Sequence, residues 1–146
     1  MALPKNLGPG ALAQLAAAGF KTKVNKYHRS APDQRMADGR VFDSKLERDA
    51  YLVLKDTFGQ TGFELQREFT LLDPFAFNGK KYRAIKYRCD FVVTQGMEEH
   101  IIDMKGMETP AFKDREKMFV SKYRKPLLKF KTVSQLKLWL AETFSQ

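Results

Sequence analysis

The sequence predicts a mixed α/β domain in which a central, largely antiparallel sheet is flanked by helices. Apolar residues recur at helical spacing in residues 43–59 and again in residues 135–144. Between these segments, residues 62–72 and 82–93 alternate apolar and polar side chains, which is typical of half-buried strands. Asn78 and Gly79 stand between the two strands and form a strong signal for a hairpin turn.

The N-terminal segment, residues 1–40, is predicted to lie outside this domain. It is rich in Gly, Pro, Lys and Ala, and we expect a weak helix followed by a basic arm rather than a signal peptide. The letters ADGR at residues 37–40 predict a small hairpin. The domain is expected to span residues 41–146, since a chain of 146 residues fits a single core. No apolar run approaches the ~20 residues that cross a membrane, so no membrane partner is expected.

The helix at 43–59 is expected to end at Gly59, and the two strands that follow are expected to have one apolar face each. The helix stripe consists of Leu46, Ala50, Val53 and Leu54. In the first strand the apolar face consists of Phe63, Leu65, Phe69 and Leu71. In the second strand the apolar face consists of Ile85, Tyr87, Cys89, Phe91 and Val93, and Lys86, Arg88 and Asp90 point the other way.

A turn at residues 94–100 is predicted to pair the second strand with a third at 101–105. Pro110 suits the first turn of a helix over 109–123, and a short strand is expected at 126–133. Ser134 is the expected N-cap of the last helix. Its buried stripe consists of Leu136, Trp139, Leu140 and Phe144, which is expected to pack on the sheet or to form a subunit interface.

The charge distribution favours nucleic acid as a partner, although a solvated basic surface is the simpler explanation. Lys and Arg total 26 against 17 acids, for a net charge of +9. Residues 1–30 and 79–88 each contain five basic residues and no acid, and residues 113–137 contain nine basic residues and two acids. We expect nucleic acid to contact Lys80, Lys81, Arg83, Lys86, Arg88, Lys113 and Lys117. The single Cys89 excludes an internal disulfide and a Cys-rich zinc site, which favours an intracellular protein.

Acidic residues on neighbouring elements predict a metal site. The predicted pairing brings Asp90 close to Asp103 and Lys105 on the polar side of the hairpin, and Glu47 lies at the edge of the helix stripe. Two carboxylates at that separation repel each other unless a cation lies between them. Mg²⁺ prefers one or two carboxylates, with water and phosphate completing its shell. A lysine on the same face can orient a water molecule or neutralise charge on a phosphate.

Each of these residues also has a purely structural interpretation. Ser44 and Glu47 fit a capping box, in which the serine is the N-cap and the glutamate is at N3. Asp103 and Lys105 suit an ion pair on a hydrated sheet face. Asp90 has Arg88 and Lys86 as alternative partners. His28 and His100 lack a second His or Cys at ligand spacing, and the chain has no phosphate-binding glycine loop or nucleophile elbow.

The order of a helical acid, D-F-V-V, a turn and I-I-D-x-K-G resembles the PD-(D/E)xK nuclease superfamily over roughly residues 40–125. The matching residues are Glu47, Asp90, Asp103 and Lys105. S-x-L-E, D-F and (D/E)-x-K-G also recur in small phage-encoded endonucleases, including those that resolve Holliday junctions. The pattern KYH…G..FDSKLE…Y…L…LQ.EF.L is similar to an uncharacterised phage and prophage family. Cys89 stands where the superfamily name has Pro, a position that varies widely.

The resemblance implies a restriction-endonuclease-like core and a DNA endonuclease that depends on Mg²⁺ or Mn²⁺. It implies that Asp90 and Asp103 bind the metal with the carbonyl group of Met104. Glu47 would complete the site directly, through water or at a second metal, and Lys105 would position the attacking water. Gln66 matches a glutamine often seen near such sites, and it equally suits a strand edge.

Three functions are therefore compared. The first is a Mg²⁺-dependent endonuclease encoded by a phage or prophage, acting in the host cytoplasm as a homodimer, with branched DNA as a candidate substrate. The second is an inactive nucleic-acid-binding protein on the same scaffold. The third is a basic protein that binds a host protein and whose carboxylates form surface ion pairs. Filled motif positions at Glu47, Asp90, Asp103 and Lys105 favour the first function.

Overall fold

The predicted mixed α/β class is confirmed. The computed structural model describes residues 29–144, so the predicted N-terminal helix lies outside the described residues. A short 3₁₀ helix, Pro32–Arg35, precedes the helices α1 (Lys45–Phe58), α2 (Pro110–Tyr123) and α3 (Val133–Phe144). The strands are β1 (Met36–Ala37), β2 (Arg40–Val41), β3 (Glu64–Leu65), β4 (Glu68–Leu72), β5 (Phe75–Phe77), β6 (Lys80–Tyr82), β7 (Ile85–Arg88), β8 (Phe91–Gln95), β9 (Glu98–Met104) and β10 (Leu127–Phe130).

The central sheet has four strands in the order β10-β9-β8-β3. β9 pairs antiparallel with β8 and parallel with β10, which makes the sheet mixed. Helix α2 lies between β9 and β10 in the chain and supplies the crossover that a parallel pair requires. Three antiparallel pairs complete the strands described: β1 with β2, β4 with β7, and β5 with β6.

Side chains next to the helices explain where the helices begin. Ser44 Oγ accepts a hydrogen bond from Glu47 N at 3.0 Å at the start of α1, and Thr109 Oγ1 accepts one from Phe112 N at 3.1 Å at the start of α2. Gly59 ends α1 with a φ of 80°, a conformation that a side chain would strain.

The prediction of Ser134 as an N-cap is wrong, because α3 begins one residue before it. The hydroxyl of Thr132 takes that role, since its Oγ1 accepts from Gln135 N at 3.2 Å. Gln135 Oε1 in turn accepts from Lys131 N at 2.8 Å. The two bonds cap the start of α3 with Thr132, two residues before the predicted Ser134.

Helices cover both faces of the central sheet, which divides the core into two clusters. The first core cluster lies between the sheet, α1 and α3, and contains Phe42, Ala50, Tyr51, Leu54, Phe91, Val93, Ile102, Met104, Leu136 and Leu140. The second core cluster lies between the sheet and α2, and contains Leu71, Tyr87, Cys89, Val92, Ile101, Phe112, Phe119 and Leu127. The expected polar sheet face around Asp103 is therefore wrong: this residue is only 2% exposed. The predicted stripes of α1 and α3 do pack on the first core cluster.

Two predicted strands are each interrupted by a bend, and the expected single apolar faces are wrong for that reason. Gln66, between β3 and β4, has a φ of 53°, which breaks the two-residue alternation. Residues before the bend, such as Phe63, pack on the first core cluster, whereas Phe69 packs on the second. The partner strand bends at the same level: Gln66 N donates to Asp90 O at 3.0 Å, and Cys89 N donates to Arg67 O at 3.1 Å.

Both predicted tight turns form. Asp38 and Gly39 join β1 to β2 with φ values of 50° and 74°, and Asn78 and Gly79 join β5 to β6 with φ values of 49° and 76°. Positive φ at both central positions is the geometry that suits the twist of a two-residue hairpin. In the chain from residue 29 to residue 144, the helices are too short or too polar to cross a membrane.

The buried stripe of α1 gives a direct test of the core. Leu54 is fully buried in the first core cluster, whereas Leu52 on the same helix is 44% exposed. Leu54→Ala should lower the free energy of unfolding by about 2–5 kcal/mol, because it removes buried methyl groups and leaves a cavity. Leu52→Ala should change it by less than about 0.5 kcal/mol. Urea unfolding of both variants measures the difference, and equal effects would contradict the placement of α1.

Candidate metal centre in a basic cleft

A cleft of about 390 Å³ lies where the bent strands meet the start of α2. Its lining residues are Asp43, Gln66, Lys86, Tyr87, Arg88, Asp90, Asp103, Lys105, Thr109, Phe112 and Arg115. A larger groove of about 680 Å³ runs between α1 and α3, but its lining is mostly apolar and includes one acid, Asp56. Of these two cavities, the smaller cleft combines paired acids with several cations, which makes it the candidate site.

Asp90 lies at the bend, immediately before β8. Its backbone N donates to Ile102 O at 3.2 Å, which extends the pairing of β8 with β9 by one residue. Its side chain turns along the sheet, and Oδ2 accepts a hydrogen bond from Met104 N at 2.7 Å. In a strand the N–H and C=O groups of one residue point towards the same neighbour. The carbonyl group of Met104 is therefore on the Asp90 side as well.

Asp103 is a buried residue near the C-terminal end of β9. Its Oδ2 accepts a hydrogen bond from the hydroxyl group of Tyr87 at 2.7 Å, and both side chains are buried. Burial, together with the charge of Asp103, raises the pKa of Tyr87 far above its ordinary value. The phenol therefore stays a hydrogen-bond donor, and it fixes the orientation of the Asp103 carboxylate.

Asp90 and Asp103 form a pair of acids that has no cationic partner within residues 29–144. Both side chains line the cleft, and Asp90 Oδ2 is bound to the backbone N of Met104, the residue that follows Asp103. Burial, the charge of Asp103 and the charge of Glu47 together raise the pKa of Asp90 well above its usual range, against the opposing hydrogen bond from Met104 N. In the described part of the chain, no lysine or arginine forms an ion pair with either carboxylate.

Glu47 reaches the same region from α1 and is 3% exposed. Burial raises its pKa, and the hydrogen bond from Gln66 Nε2 to its Oε1, 3.4 Å long, opposes that rise. The capping-box interpretation is correct only in part. Ser44 caps the backbone N–H of Glu47, but the glutamate side chain bonds to Gln66. Gln66 is thus brought to the site.

Lys105 lies in the cleft directly after β9. Its Nζ lies 4.7 Å from the centre of the Phe112 ring, and its backbone N donates to Phe130 O at 3.0 Å. The ion pairs that were alternatives for the acids do not form. Arg88 pairs instead with Asp43 at 3.5 Å, and Lys86 pairs with Glu68 at 2.9 Å.

The basic residues predicted to bind nucleic acid divide into three groups. Lys86 and Arg88 line the cleft. Lys80, Lys81 and Arg83 are exposed on the β5–β6 hairpin and directly after it, and Lys113 and Lys117 are exposed on α2 outside the cleft lining.

Five residues of the cleft lining are not among those predicted from the sequence: Asp43, Tyr87, Thr109, Phe112 and Arg115. Tyr87 looked like an ordinary apolar strand position, and the phenol that holds Asp103 has no sequence signal of its own. Arg115 belonged to the basic segment at 113–137, so its charge was the available signal.

The chemistry of the donor atoms suits a hard cation that keeps part of its water shell. Over residues 29–144, no three His, Cys, Asp or Glu side chains converge as a complete ligand set. Mg²⁺ requires fewer protein ligands than that, because one or two carboxylates with water and substrate phosphate suffice. Asp90, Asp103 and the carbonyl group of Met104 are oxygen donors of the kind that Mg²⁺ prefers.

Fold and cleft together define a small mixed α/β protein in which two acids, without a cationic partner among residues 29–144, lie in a cleft lined by lysines and arginines. The chain belongs to the family described as "Protein of unknown function (DUF1064)", whose model matches residues 25–138. All the residues that line the cleft lie within that range. No curated protein and no solved structure matches the chain.

The raised pKa of Asp90 predicts how the stability of the metal-free protein depends on pH. A carboxyl group whose pKa is higher in the folded state destabilises the fold progressively as pH rises above the unfolded value, ~3.9. In the presence of a chelator at about pH 8, the free energy of unfolding of Asp90→Asn should therefore exceed that of the wild type by more than ~1 kcal/mol. The difference should shrink towards about pH 4.5, where the unfolded carboxyl group begins to bind the proton as well.

Urea unfolding at the two pH values measures this effect. Asp73→Asn is the control, because Asp73 has an 81% exposed side chain and is not among the residues that line the cleft. An Asp90→Asn variant that is less stable than the wild type at the higher pH would show that the carboxylates do not repel each other.

Proposed function

We propose that this protein is a Mg²⁺-dependent endodeoxyribonuclease that hydrolyses phosphodiester bonds. The single observation that carries the proposal is the pair Asp90 and Asp103, held together in a cleft without a cationic partner among residues 29–144. Such a pair is costly unless the protein binds a cation there. The cations that line the cleft around it suit a polyanionic substrate.

Arrangement along the chain supports membership of the PD-(D/E)xK superfamily. Glu47 is on α1, Asp90 lies directly before β8, and Asp103 is on β9. Lys105 is the first residue after β9. Asp90, Asp103 and the carbonyl group of Met104 would hold Mg²⁺ or Mn²⁺. The bound ion would supply water activation and charge stabilisation at the scissile phosphate.

The chain's own residues would do the rest of the work. Tyr87 keeps Asp103 in one orientation, and Gln66 does the same for Glu47. Lys105 would hold the attacking water or stabilise charge on the phosphate, since its ammonium group lies in the same cleft. Its contact with the Phe112 ring limits where that ammonium group can move.

Three further cations in the cleft, Lys86, Arg88 and Arg115, would bind phosphates on either side of the scissile bond. We also propose a homodimer acting on branched DNA, because a four-way junction requires two opposed incisions and residues 29–144 of one chain offer one candidate site. A two-fold dimer would match the symmetry of that substrate.

A DNA-binding protein without catalytic activity is the second candidate. The observation in its favour is the absence, within the described residues, of a preformed set of three metal-binding side chains. Calorimetric titration of Mg²⁺ and Mn²⁺ into wild type and Asp103→Ala tests the metal site, and cleavage of branched and linear DNA separates the two candidates. Binding that is lost in the variant supports the nuclease, and no binding to the wild type supports the second candidate.

Cleavage should depend on the acids and on the lysine, whereas DNA binding should not. Asp103→Asn and Lys105→Ala should each abolish cleavage in Mg²⁺ and leave DNA affinity within a few-fold of wild type. Removing the acid lowers repulsion of phosphate, and removing the lysine leaves Lys86, Arg88 and Arg115 in the cleft. Asp56→Asn, which changes an acid in the apolar groove, is the matched control and should cut normally.

The substrate panel for this measurement contains a four-way junction, a fork, a flap, a nicked duplex, an intact duplex and a single strand. Sedimentation with and without the junction reports the assembly. Normal cutting by Asp103→Asn would end the assignment of the site, whereas equal cutting of all duplex substrates by a monomer would remove only the proposal of a branched substrate.

Salt dependence should identify the cations that contact phosphates. If about six phosphates are neutralised, affinity should fall roughly 10³-fold between ~50 and ~200 mM salt. Replacing Lys86 and Arg88 together by Ala should reduce the slope of log affinity against log salt by about two. The control, with Lys131 and Lys137 replaced by Ala, loses the same charge outside the cleft lining. Equal slopes for both double variants would place DNA elsewhere.

A further inference from the structure

The β5–β6 hairpin stands apart from both core clusters. Every residue from 72 to 83 is exposed, although the hairpin has regular pairing and a well-formed Asn78-Gly79 turn. An isolated two-stranded ribbon is marginally stable in water. Its regular structure without core contacts suggests that the hairpin serves to present side chains to a ligand.

Three of those side chains are aromatic and lie on one face. Phe75 pairs with Tyr82 across the strands, and Phe77 is two residues further along on the same side. The rings of Phe75 and Tyr82 are stacked, with centroids 4.7 Å apart and planes within 8° of parallel. The exposed fractions are 46% for Phe75, 64% for Phe77 and 37% for Tyr82. A contiguous aromatic face in solvent is typical of an interaction surface.

The charge of the hairpin identifies the kind of ligand. Lys80 is on the aromatic face, with Nζ 5.0 Å from the centre of the Tyr82 ring, and Lys81 is on the opposite face. Arg83 follows directly, and residues 79–88 contain no acid. Alternating aromatic rings and cations match a strand whose bases stack while its phosphates are neutralised. A protein partner would need acidic groups opposite these cations and would gain little from the flat stacked pair.

We propose that the aromatic face of this hairpin binds unpaired bases of the DNA substrate by stacking, so that the protein engages DNA where a duplex opens into single strands. This inference rests on the proposed nuclease function. It adds a substrate feature that the carboxylate site alone does not define. Phe77 and Tyr82 offer the ring faces, and Lys80 and Arg83 contact the flanking phosphates.

The distance from the hairpin to the cleft limits how far from the unpaired bases the DNA is cut. Tyr82 is six residues before Arg88, which lines the cleft, so the two residues are at most roughly 20 Å apart along an extended strand. That distance corresponds to about six base pairs of duplex at ~3.4 Å each. Incision should therefore occur within about six base pairs of the point where the strands separate.

The test compares two DNA probes without divalent ions, so that binding is measured apart from cleavage. One probe is a blunt duplex, and the other is the same duplex with short single-stranded tails that carry 2-aminopurine, a base whose fluorescence falls when it stacks. Wild type should prefer the tailed probe and quench its fluorescence. The double variant Phe77→Leu, Tyr82→Leu should lose roughly five- to 100-fold in affinity for the tailed probe and almost nothing for the duplex.

Two controls separate stacking from other effects. Met97→Ala removes a fully exposed apolar side chain from the β8–β9 turn and should leave both affinities unchanged. Tyr82→Phe keeps the ring and should retain the preference for the tailed probe. Thermal melting confirms that the leucine variant remains folded, which is expected because none of these side chains belongs to a core cluster.

The outcomes distinguish this inference from the proposed function. Equal losses on both probes, or a wild type without preference, would overturn the stacking proposal. Mg²⁺-dependent cleavage of duplex DNA by the same wild type would then leave the nuclease proposal standing. A wild type that binds neither probe would overturn both.

Discussion

A single bend brings Asp90 close to Asp103, where their charges repel each other. The bend lies where the pair β4–β7 continues into the pair β3–β8, and it sets the geometry of the cleft. Gln66 adopts a positive φ opposite Asp90, and backbone hydrogen bonds on each side hold the two strands in register through the change of direction. A side-chain-bearing residue in this conformation costs of order 1–2 kcal/mol. The strand pairing on both sides of the bend offsets this cost. At the bend, Asp90 and Asp103 approach each other and Glu47 approaches them from α1.

Much of the fold could be predicted from the sequence because its signals are local. The stripe of α1, the caps at Ser44 and Thr109, and the turns at Asp38-Gly39 and Asn78-Gly79 depend on neighbouring residues alone. The order of the acids placed Asp90 beside Asp103 for the same reason, since a short turn fixes which strands pair.

Features that depend on distant contacts could not be predicted in this way. The regular alternation of residues 62–72 does not indicate that Phe63 and Phe69 pack on different core clusters. The bend between them lies at Gln66, whose backbone N is bound to Asp90 O on a distant part of the chain. The burial of Asp103 depends on α2 covering that face of the sheet. A hydrogen bond from Tyr87 to Asp103 spans 16 residues and leaves no pattern in the sequence.

Tyr87 also ties the site to the packing behind it. Its ring lies against Phe69, Phe112 and Phe119 in the second core cluster, with centroids 5.9 to 6.5 Å apart, while its hydroxyl group holds the carboxylate. Core residues in most proteins can exchange for others of similar volume with little effect beyond stability. Here a change in any of those rings would also move the phenol. Over evolutionary time, sequence drift in this aromatic cluster is therefore restricted by chemistry as well as by volume, and a change there can alter the site without touching an acid.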